Sequence, residues 1–253
     1  MKKYCLDMIV REVVHINEKY VLLKLTHKDT LPEMLPGQFV EVRVDGSPTT
    51  FLRRPISINN VDREHNELHL LVACIGDGTI RLGMLKEGEI LNVVLPLGNG
   101  FTMQKQRQLL VGGGVGVAPL LYLGRKLKEM GVEPTFLLGA RSAKDLLMTD
   151  DFKAVGRVYV TTEDGSEGEK GFVTDHTIWD KEMFELISTC GPAPMMKAVA
   201  RKAKKKGIRC EVSLENKMAC GVGACLCCVE KVKDKGNVCV CTEGPVFDAE
   251  QLW

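Results

Sequence analysis

The run Cys220-Gly-Val-Gly-Ala-Cys225-Leu-Cys227-Cys228, with Cys239-Val-Cys241 further on, constrains this chain more than any other stretch. Cys220, Cys225 and Cys228 read C-x4-C-x2-C, and a fourth cysteine stands downstream. That is a spacing by which four thiolates hold a [2Fe-2S] cluster. The backbone between the first two ligands must wrap closely around the inorganic core. Gly221, Gly223 and Ala224 permit this, because small residues reach unusual φ/ψ and leave room for sulfide. Four cysteines can also hold structural zinc, usually from two short knuckles. Here three candidate ligands crowd together and the fourth stands apart, which favours the cluster. Cys227 sits between two proposed ligands, so its side chain is expected to point elsewhere. If Cys239-Val-Cys241 is extended, both thiols face one side, and spacing alone leaves either as the fourth ligand. A cluster moves single electrons, so the rest of the chain must say where they come from and go.

The chain has 253 residues, enough for two domains and an appendage, and its 45% hydrophobic content permits real cores. A net charge of +1 gives no reason to expect nucleic acid or an anionic membrane as partner. No apolar run is long enough to span a bilayer. Asp7 interrupts the N-terminus before an apolar segment forms, so no signal peptide is expected. Ten cysteines without a secretory signal fit a reducing compartment and metal ligation better than disulfides. The expected location is cytoplasmic.

Three regions follow from the pattern. Residues 1–103 read as short strands, among them 20–26, 38–44 and 67–73. Turn clusters at Pro36-Gly37, Asp45-Gly-Ser-Pro48, Gly76-Asp-Gly78 and Glu87-Gly88 separate them, and 78–85 is the one short helix expected. Many strands at such spacing predict an antiparallel β-barrel. Residues 104–212 alternate strand and helix, with strands at 109–111, 135–138, 157–161 and 187–190. Helices are expected at 118–130, 143–151 and 194–206. That grammar predicts an α/β domain with a parallel sheet and helices on both faces. A last strand at 211–215 leads into residues 213–253, the cysteine-bearing segment. The basic run Arg201-Lys-Ala-Lys-Lys-Lys206 ends a helix, where cations complement the dipole, and reads as a solvated face.

Candidate ligand sites lie at the turns. Gly112-Gly113-Gly114-Val-Gly116-Val-Ala-Pro119 joins a strand to a helix. The glycines expose backbone N–H groups, and Pro119 suits the first helical turn, so a pyrophosphate would sit at that helix start. No acidic residue ends the second strand, where Gly139-Ala-Arg141 stands, and Arg141 leaves NADP open beside NAD. Cys190-Gly191-Pro192 follows the fourth strand at the carboxyl edge of the sheet, a turn expected to place the Cys190 thiol over a nicotinamide. In the barrel region, Arg54 and Ser57 flank Pro55, and the pair can grip a phosphate and a flavin edge. Gly76-Asp-Gly78-Thr79 opens a short helix, another place for phosphate. Each of these is also a common turn.

The motifs stand in one order: R-P-x-S, G-D-G-T, L-P-L-G-N-G-F from Leu95 to Phe101, G-G-G-x-G-V-A-P-L, C-G-P-x-P-M-M, then M-A-C-G-x-G-A-C. Across nearly the whole chain this order resembles the ferredoxin–NADP reductase superfamily with a cluster domain appended. Within it, the pattern is most similar to the electron-transfer subunits of dihydroorotate dehydrogenase B. Gly98-Asn-Gly-Phe101, Met218 to Cys225 and Val240-Cys-Thr-Glu-Gly-Pro-Val-Phe247 carry that resemblance. The resemblance implies an FAD-binding barrel, an NAD-binding domain and a [2Fe-2S] domain. It implies that Arg54, Pro55, Ile56, Ser57, Leu71, Val72, Ala73, Gly78 and Thr79 contact FAD, and that Cys241 rather than Cys239 is the fourth ligand. Ile56 stands where many relatives carry an aromatic residue. The resemblance further implies a catalytic partner that carries FMN and oxidises dihydroorotate, in a heterotetramer with two copies of each subunit. Electrons would pass from FMN through the cluster and FAD to NAD. Sulfide dehydrogenase small subunits and NADH-dependent ferredoxin–NADP oxidoreductases share the architecture and are the nearest alternatives. A zinc-stapled nucleotide-binding regulator is the alternative of another class.

Overall fold

The structure is a computed structural model that describes residues 2–253. It divides into two compact units. One comprises Met1–Gly100, Asn216–Glu230 and Asn237–Pro245; the other comprises Phe101–Glu215, Lys231–Gly236 and Val246–Trp253.

In the first unit, β1 (Tyr4–Asn17), β2 (Tyr20–Thr26), β3 (Phe39–Val42), β4 (Arg54–Asp62), β5 (Glu67–Ala73) and β6 (Ile90–Leu97) close into a barrel. Its order is β1-β2-β5-β4-β3-β6, and every pairing is antiparallel. Alternate residues fill the interior: Met8 and Val10 from β1, Leu23 and Leu25 from β2, Leu68 and Leu70 from β5 are fully buried. Closure removes the unpaired edges an open sheet would expose. The helix α1 (Asp77–Gly83) interrupts the strands between β5 and β6.

In the second unit, β7 (Gln108–Gly113) leads through a short 3-10 turn into α2 (Ala118–Glu129), then β8 (Thr135–Ala140). The segment expected as one helix over 143–151 is broken. A 3-10 turn covers Ala143–Asp145, Met148 takes the left-handed conformation at φ 55°, and α3 starts afresh over Thr149–Val155. Ser142 Oγ donates to Asp145 at 2.7 Å, a local side-chain turn that competes with helix continuation. Then come β9 (Arg157–Thr162), β10 (Glu169–Lys170), α4 (Ile178–Lys181), β11 (Leu186–Cys190), α5 (Ala193–Lys205) and β12 (Arg209–Ser213). After the cysteine run, β13 (Val229–Val232) and β14 (Gly236–Cys239) form a hairpin. They are followed by α6 (Val240–Glu243), β15 (Val246–Asp248) and α7 (Ala249–Leu252).

The sheet order is β10-β9-β8-β7-β11-β12-β15. All pairings are parallel except the last, where β15 returns antiparallel against β12. Side chains alternate between its faces. Leu109, Val111 and Leu137 pack with Met196, Val199 and Ala203 of α5 and with Trp179 and Ala249. Phe136 faces Gly124 of α2 and meets Phe152 of α3 edge-to-face at 4.9 Å. Gly124 is required there, because a Cβ would stand 2.3 Å from the Phe136 ring.

Candidate functional site

The sheet of the second unit reverses its winding between β7 and β11. The first strand, β7, has β8 on one side and β11 on the other, so the crevice at their carboxyl ends is where open α/β sheets bind ligands. Both glycine turns end there. Cys190 lies opposite Gly112 in the parallel register. A Cβ on Gly116 would stand 2.5 Å from the Cα and N of Gly191, so the two turns touch backbone to backbone. Gly113 fits for a similar reason, with the Met195 sulfur 2.6 Å from its absent Cβ. Gly114, at φ 55°, has nothing within 4 Å of that point, which leaves its backbone open to a ligand. Pro119 sits in the first turn of α2 and Pro192 caps α5. An open, glycine-built strand-to-helix turn beside a second one fits a dinucleotide pyrophosphate.

Cys190 is fully buried. Burial, with the Glu215 carboxylate beside it, holds its thiol well above the usual range, so it is neutral. Its Sγ lies 3.9 Å from Glu215 Oε1. Burial also pushes the Glu215 carboxyl up. The thiol donates toward Glu215 at the edge of the crevice, and Cys190 is a buried wall residue there rather than a thiolate.

The barrel assembles a second site from β4, α1 and the loops before them. Arg54 Nη1 donates to the carbonyl of Leu52 at 2.9 Å, and its Nε would stand 2.9 Å from a Cβ on Gly78. Gly78 thus lets the guanidinium lie across the start of α1. Thr50 Oγ1 is buried there without a hydrogen-bond partner, and the backbone at Gly76 is open. Thr79 spends its hydroxyl on the turn, accepting from the N–H of Gly76 at 3.1 Å and donating to its carbonyl at 3.0 Å. Phe51, Leu52 and Ile75 are exposed on the flanking loops, Phe51 to 92%. A cation, an orphaned hydroxyl and unburied apolar side chains together fit a phosphate-bearing aromatic cofactor such as FAD. Ser57 pairs with Phe39 across β3 and β4, Ile56 with Val40 and Pro55 with Glu41. Leu71 and Val72 are buried on β5, and Ala73 ends that strand half-buried.

The cysteine loop belongs to the same unit as the barrel. Gly221 (φ 65°) and Gly223 (φ 84°) turn the chain so that backbone N–H groups face sulfur. Val222 N–H donates to Cys220 Sγ at 3.4 Å, Gly223 N–H to Cys241 Sγ at 3.1 Å, and Cys241 N–H to Cys228 Sγ at 3.4 Å. The Val222 N–H leads the effects that lower the Cys220 thiol to about 6. Burial pushes Cys241 up to about 12. Cys228 and Cys241 are buried, while Cys225 is exposed. Cys227 turns away, its Sγ 3.7 Å from the Lys217 carbonyl. Cys239 ends β14 and Val240 starts α6, so the two downstream thiols are not an extended pair and need not face one side. Cys239 Sγ lies 3.9 Å from the Gly223 carbonyl, an acceptor, whereas Cys241 receives the Gly223 N–H. Among the described residues no three His, Cys, Asp or Glu side chains are placed to hold a single metal ion. Backbone N–H groups aimed at several thiols in a glycine-rich turn are the donor set of an iron-sulfur cluster, and the residues fit it.

Comparison with known proteins agrees with this chemistry. Residues 215–253 match the iron-sulfur cluster binding domain of dihydroorotate dehydrogenase B, and 110–201 match the oxidoreductase NAD-binding domain. The dihydroorotate dehydrogenase B (NAD(+)) electron transfer subunit of Shouchella clausii is 44% identical over 225 residues, 86% of each chain. That of Fusobacterium nucleatum is 38% identical over 255 residues, 97% of each chain. The chain belongs to the dihydroorotate dehydrogenase B electron-transfer subunit family. Among solved structures, the NADH-dependent reduced ferredoxin-NADP oxidoreductase, described for flavin-based electron bifurcation, superimposes with a TM-score of 0.88. It is 33% identical, with 97% of this chain and 89% of that one covered. The cytochrome P450 reductase GcoB of Amycolatopsis follows at a TM-score of 0.69 and 26% identity, covering 81% and 66%. No helix among the described residues is long and apolar enough to cross a membrane.

In this dihydroorotate dehydrogenase B-type chain, the Gly98-Asn-Gly motif has a physical role. Asn99 N–H donates to the Gly244 carbonyl at 2.6 Å and Asn99 Nδ2 to that of Glu243 at 3.0 Å. Gly98 (φ 72°) leaves room for Pro245, whose Cδ is 2.6 Å from its absent Cβ. The barrel thereby clasps the segment that follows Cys241. Glu41 and Glu215 were not legible in the sequence, because an isolated acid in a strand or after one carries no motif. Glu41 is fully buried, and burial raises its carboxyl to about 7.

Proposed function

We propose that this chain works as the electron-transfer subunit of dihydroorotate dehydrogenase B, docked to a catalytic subunit that carries FMN and oxidises dihydroorotate, two copies of each forming a heterotetramer. The observation that carries this reading is the seating of the cysteine loop on the barrel, through Gly221 against Glu41 and Leu97 and through the Asn99 clasp on Gly244. When bound, the cluster exchanges single electrons and FAD converts them to the hydride that NAD accepts. The chain's residues bind and orient these groups. Cys220, Cys225, Cys228 and Cys241 would hold the cluster, with the N–H groups of Val222 and Gly223 lowering charge on sulfur. Arg54, Pro55, Ile56, Ser57, Leu71, Val72, Ala73, Gly78 and Thr79 would hold FAD, Arg54 neutralising the pyrophosphate. Gly112, Gly113, Gly114, Gly116, Gly191 and Pro192 would cradle NAD, with Cys190 walling the nicotinamide. The structural likeness to an NADH-dependent ferredoxin-NADP oxidoreductase chain favours that as the second reading.

The test is reconstitution. The isolated chain, with flavin and iron-sulfur absorption bands, should reduce dyes with NADH yet leave dihydroorotate untouched. Coupled dihydroorotate–NAD turnover should appear only with the FMN-containing partner. Turnover of dihydroorotate by the isolated chain, or a colourless protein, refutes the reading. Within it, Arg54→Ala should weaken FAD retention, since truncating one partner of a charge-assisted pair costs about 2–5 kcal/mol. That is roughly 30-fold or more in affinity. Unchanged FAD occupancy after dialysis would remove Arg54 from the site.

A further inference from the structure

Glu41 lies on β3, opposite Pro55 of β4, and is completely shielded from solvent. Its neighbours Phe39, Val40 and Val42 are apolar and buried. Neither carboxyl oxygen has a hydrogen-bond partner. A buried carboxyl without one is costly, and an aliphatic residue would serve the barrel better. The adjacent cation does not explain it. Arg53 Nη1 donates to the carbonyls of Glu41 at 3.3 Å and Asn92 at 3.1 Å, and its Nη2 goes to Asn92 Oδ1. The guanidinium is thus spent on backbone and amide acceptors.

The other neighbour is the cysteine loop. A Cβ on Gly221 would stand 2.7 Å from Glu41 Cγ, 2.9 Å from Leu97 Cδ1 and 3.3 Å from Glu41 Oε1. The Glu41 side chain therefore fills the space that Gly221 leaves, directly after the first proposed ligand. On the loop, the Val222 and Gly223 N–H groups are given to sulfur. Two faces of one turn are thus engaged: thiols on one, a buried acid of the flavin barrel on the other.

We propose that Glu41 is the positioning residue of the cluster loop, its carboxyl seated under Gly221 so that the barrel fixes the Cys220 turn and sets the reduction potential of the cluster held there. This rests on the cluster reading of the four cysteines. The seat is one of shape: the unbranched Cγ and the Oε1 of Glu41 meet the space beside Gly221, and leucine, branched at Cγ, fills it differently. The amide of glutamine has the same shape and reach and preserves the seat.

The experiment uses the full chain co-expressed with its catalytic partner, with iron, sulfide and FAD quantified first. A wild-type protein without iron would refute the cluster reading itself and is thereby told apart from failure of the Glu41 proposal. In loaded protein, Glu41→Leu should change the electron paramagnetic resonance signal of the reduced protein. It should also shift the midpoint potential by about 59 mV, a tenfold change for a one-electron couple. Glu41→Gln should restore the wild-type signal and bring the potential back within about half of that shift. Wild-type signal and potential in Glu41→Leu overturn the proposal, as does a glutamine variant indistinguishable from the leucine one. Should Glu41→Leu not accumulate, Glu41→Ala empties the same seat. It should perturb signal and potential alike, and a wild-type signal and potential there overturn the seat.

Discussion

Cys220→Ser should yield a protein that keeps FAD and NADH–dye reduction, lacks the cluster, and no longer couples dihydroorotate oxidation to NAD in the reconstituted complex. Coupled turnover should fall by about a thousandfold or more, equivalent to roughly 4 kcal/mol at 1.36 kcal/mol per factor of ten. Cys220 opens the loop and receives the Val222 N–H, which leads the effects that lower its thiol to about 6, so its serine variant removes a thiolate-prone sulfur from the set. On the proposed sites the dye reaction draws on the crevice between β7 and β11 and on the barrel site, neither of which contains Cys220. Cys241→Ser should behave likewise. Cys227→Ser and Cys239→Ser should keep their iron, because Cys227 turns to the Lys217 carbonyl and Cys239 meets a carbonyl where Cys241 meets an N–H. Iron analysis and visible spectra decide it. Loss of iron in Cys239→Ser with retention in Cys241→Ser would reverse the ligand assignment, and coupling that survives loss of the cluster would end the proposed route.

Gly116→Ala should impair NADH use and stability together. The new Cβ meets the Gly191 Cα and N at 2.5 Å and the Cys190 carbonyl carbon at 2.6 Å. These are backbone atoms of an adjacent turn, so no flexible side chain can step aside. Overpacking of this kind costs about 1–3 kcal/mol, and each kcal/mol lowers Tm by roughly 2–4 °C for a domain of comparable size. Relief requires the two turns to separate, and both line the crevice. The KM for NADH in the dye assay should therefore rise about tenfold, the equivalent of about 1.4 kcal/mol of lost binding. Gly114→Ala is the contrast. There the Cβ meets nothing within 4 Å, and the cost comes from φ 55° alone. Wild-type KM and Tm in Gly116→Ala would show that the turns do not bear on one another.

Much of the architecture was legible because periodicity is local. Strands 20–26 and 67–73 match β2 and β5 residue for residue, since alternation and turn residues bound them on both sides. The helices expected at 118–130 and 194–206 match α2 and α5 to within one residue at each end. The expectation over 143–151 failed where Ser142 and Asp145 made a side-chain turn that helix propensity does not register. β15 was also unseen. Three residues carry no period, and Val246–Asp248 becomes a strand only because β12 offers it an edge.

The sequence by itself determined the kinds of chemistry: thiols at cluster spacing, glycines at two strand ends, an arginine and a serine around a proline. Each is a property of neighbours in the chain, where backbone freedom and side-chain type are decided. The tertiary structure decided which groups meet. Gly116 needs Gly191, Gly98 needs Pro245, and Gly221 needs Glu41, across separations no local pattern spans. It also decided that Cys190 is a buried neutral thiol facing Glu215, and that Cys241 rather than Cys239 takes the Gly223 N–H. Burial and hydrogen-bond partners come from packing, and packing exists only once the distant segments of the chain have closed on one another.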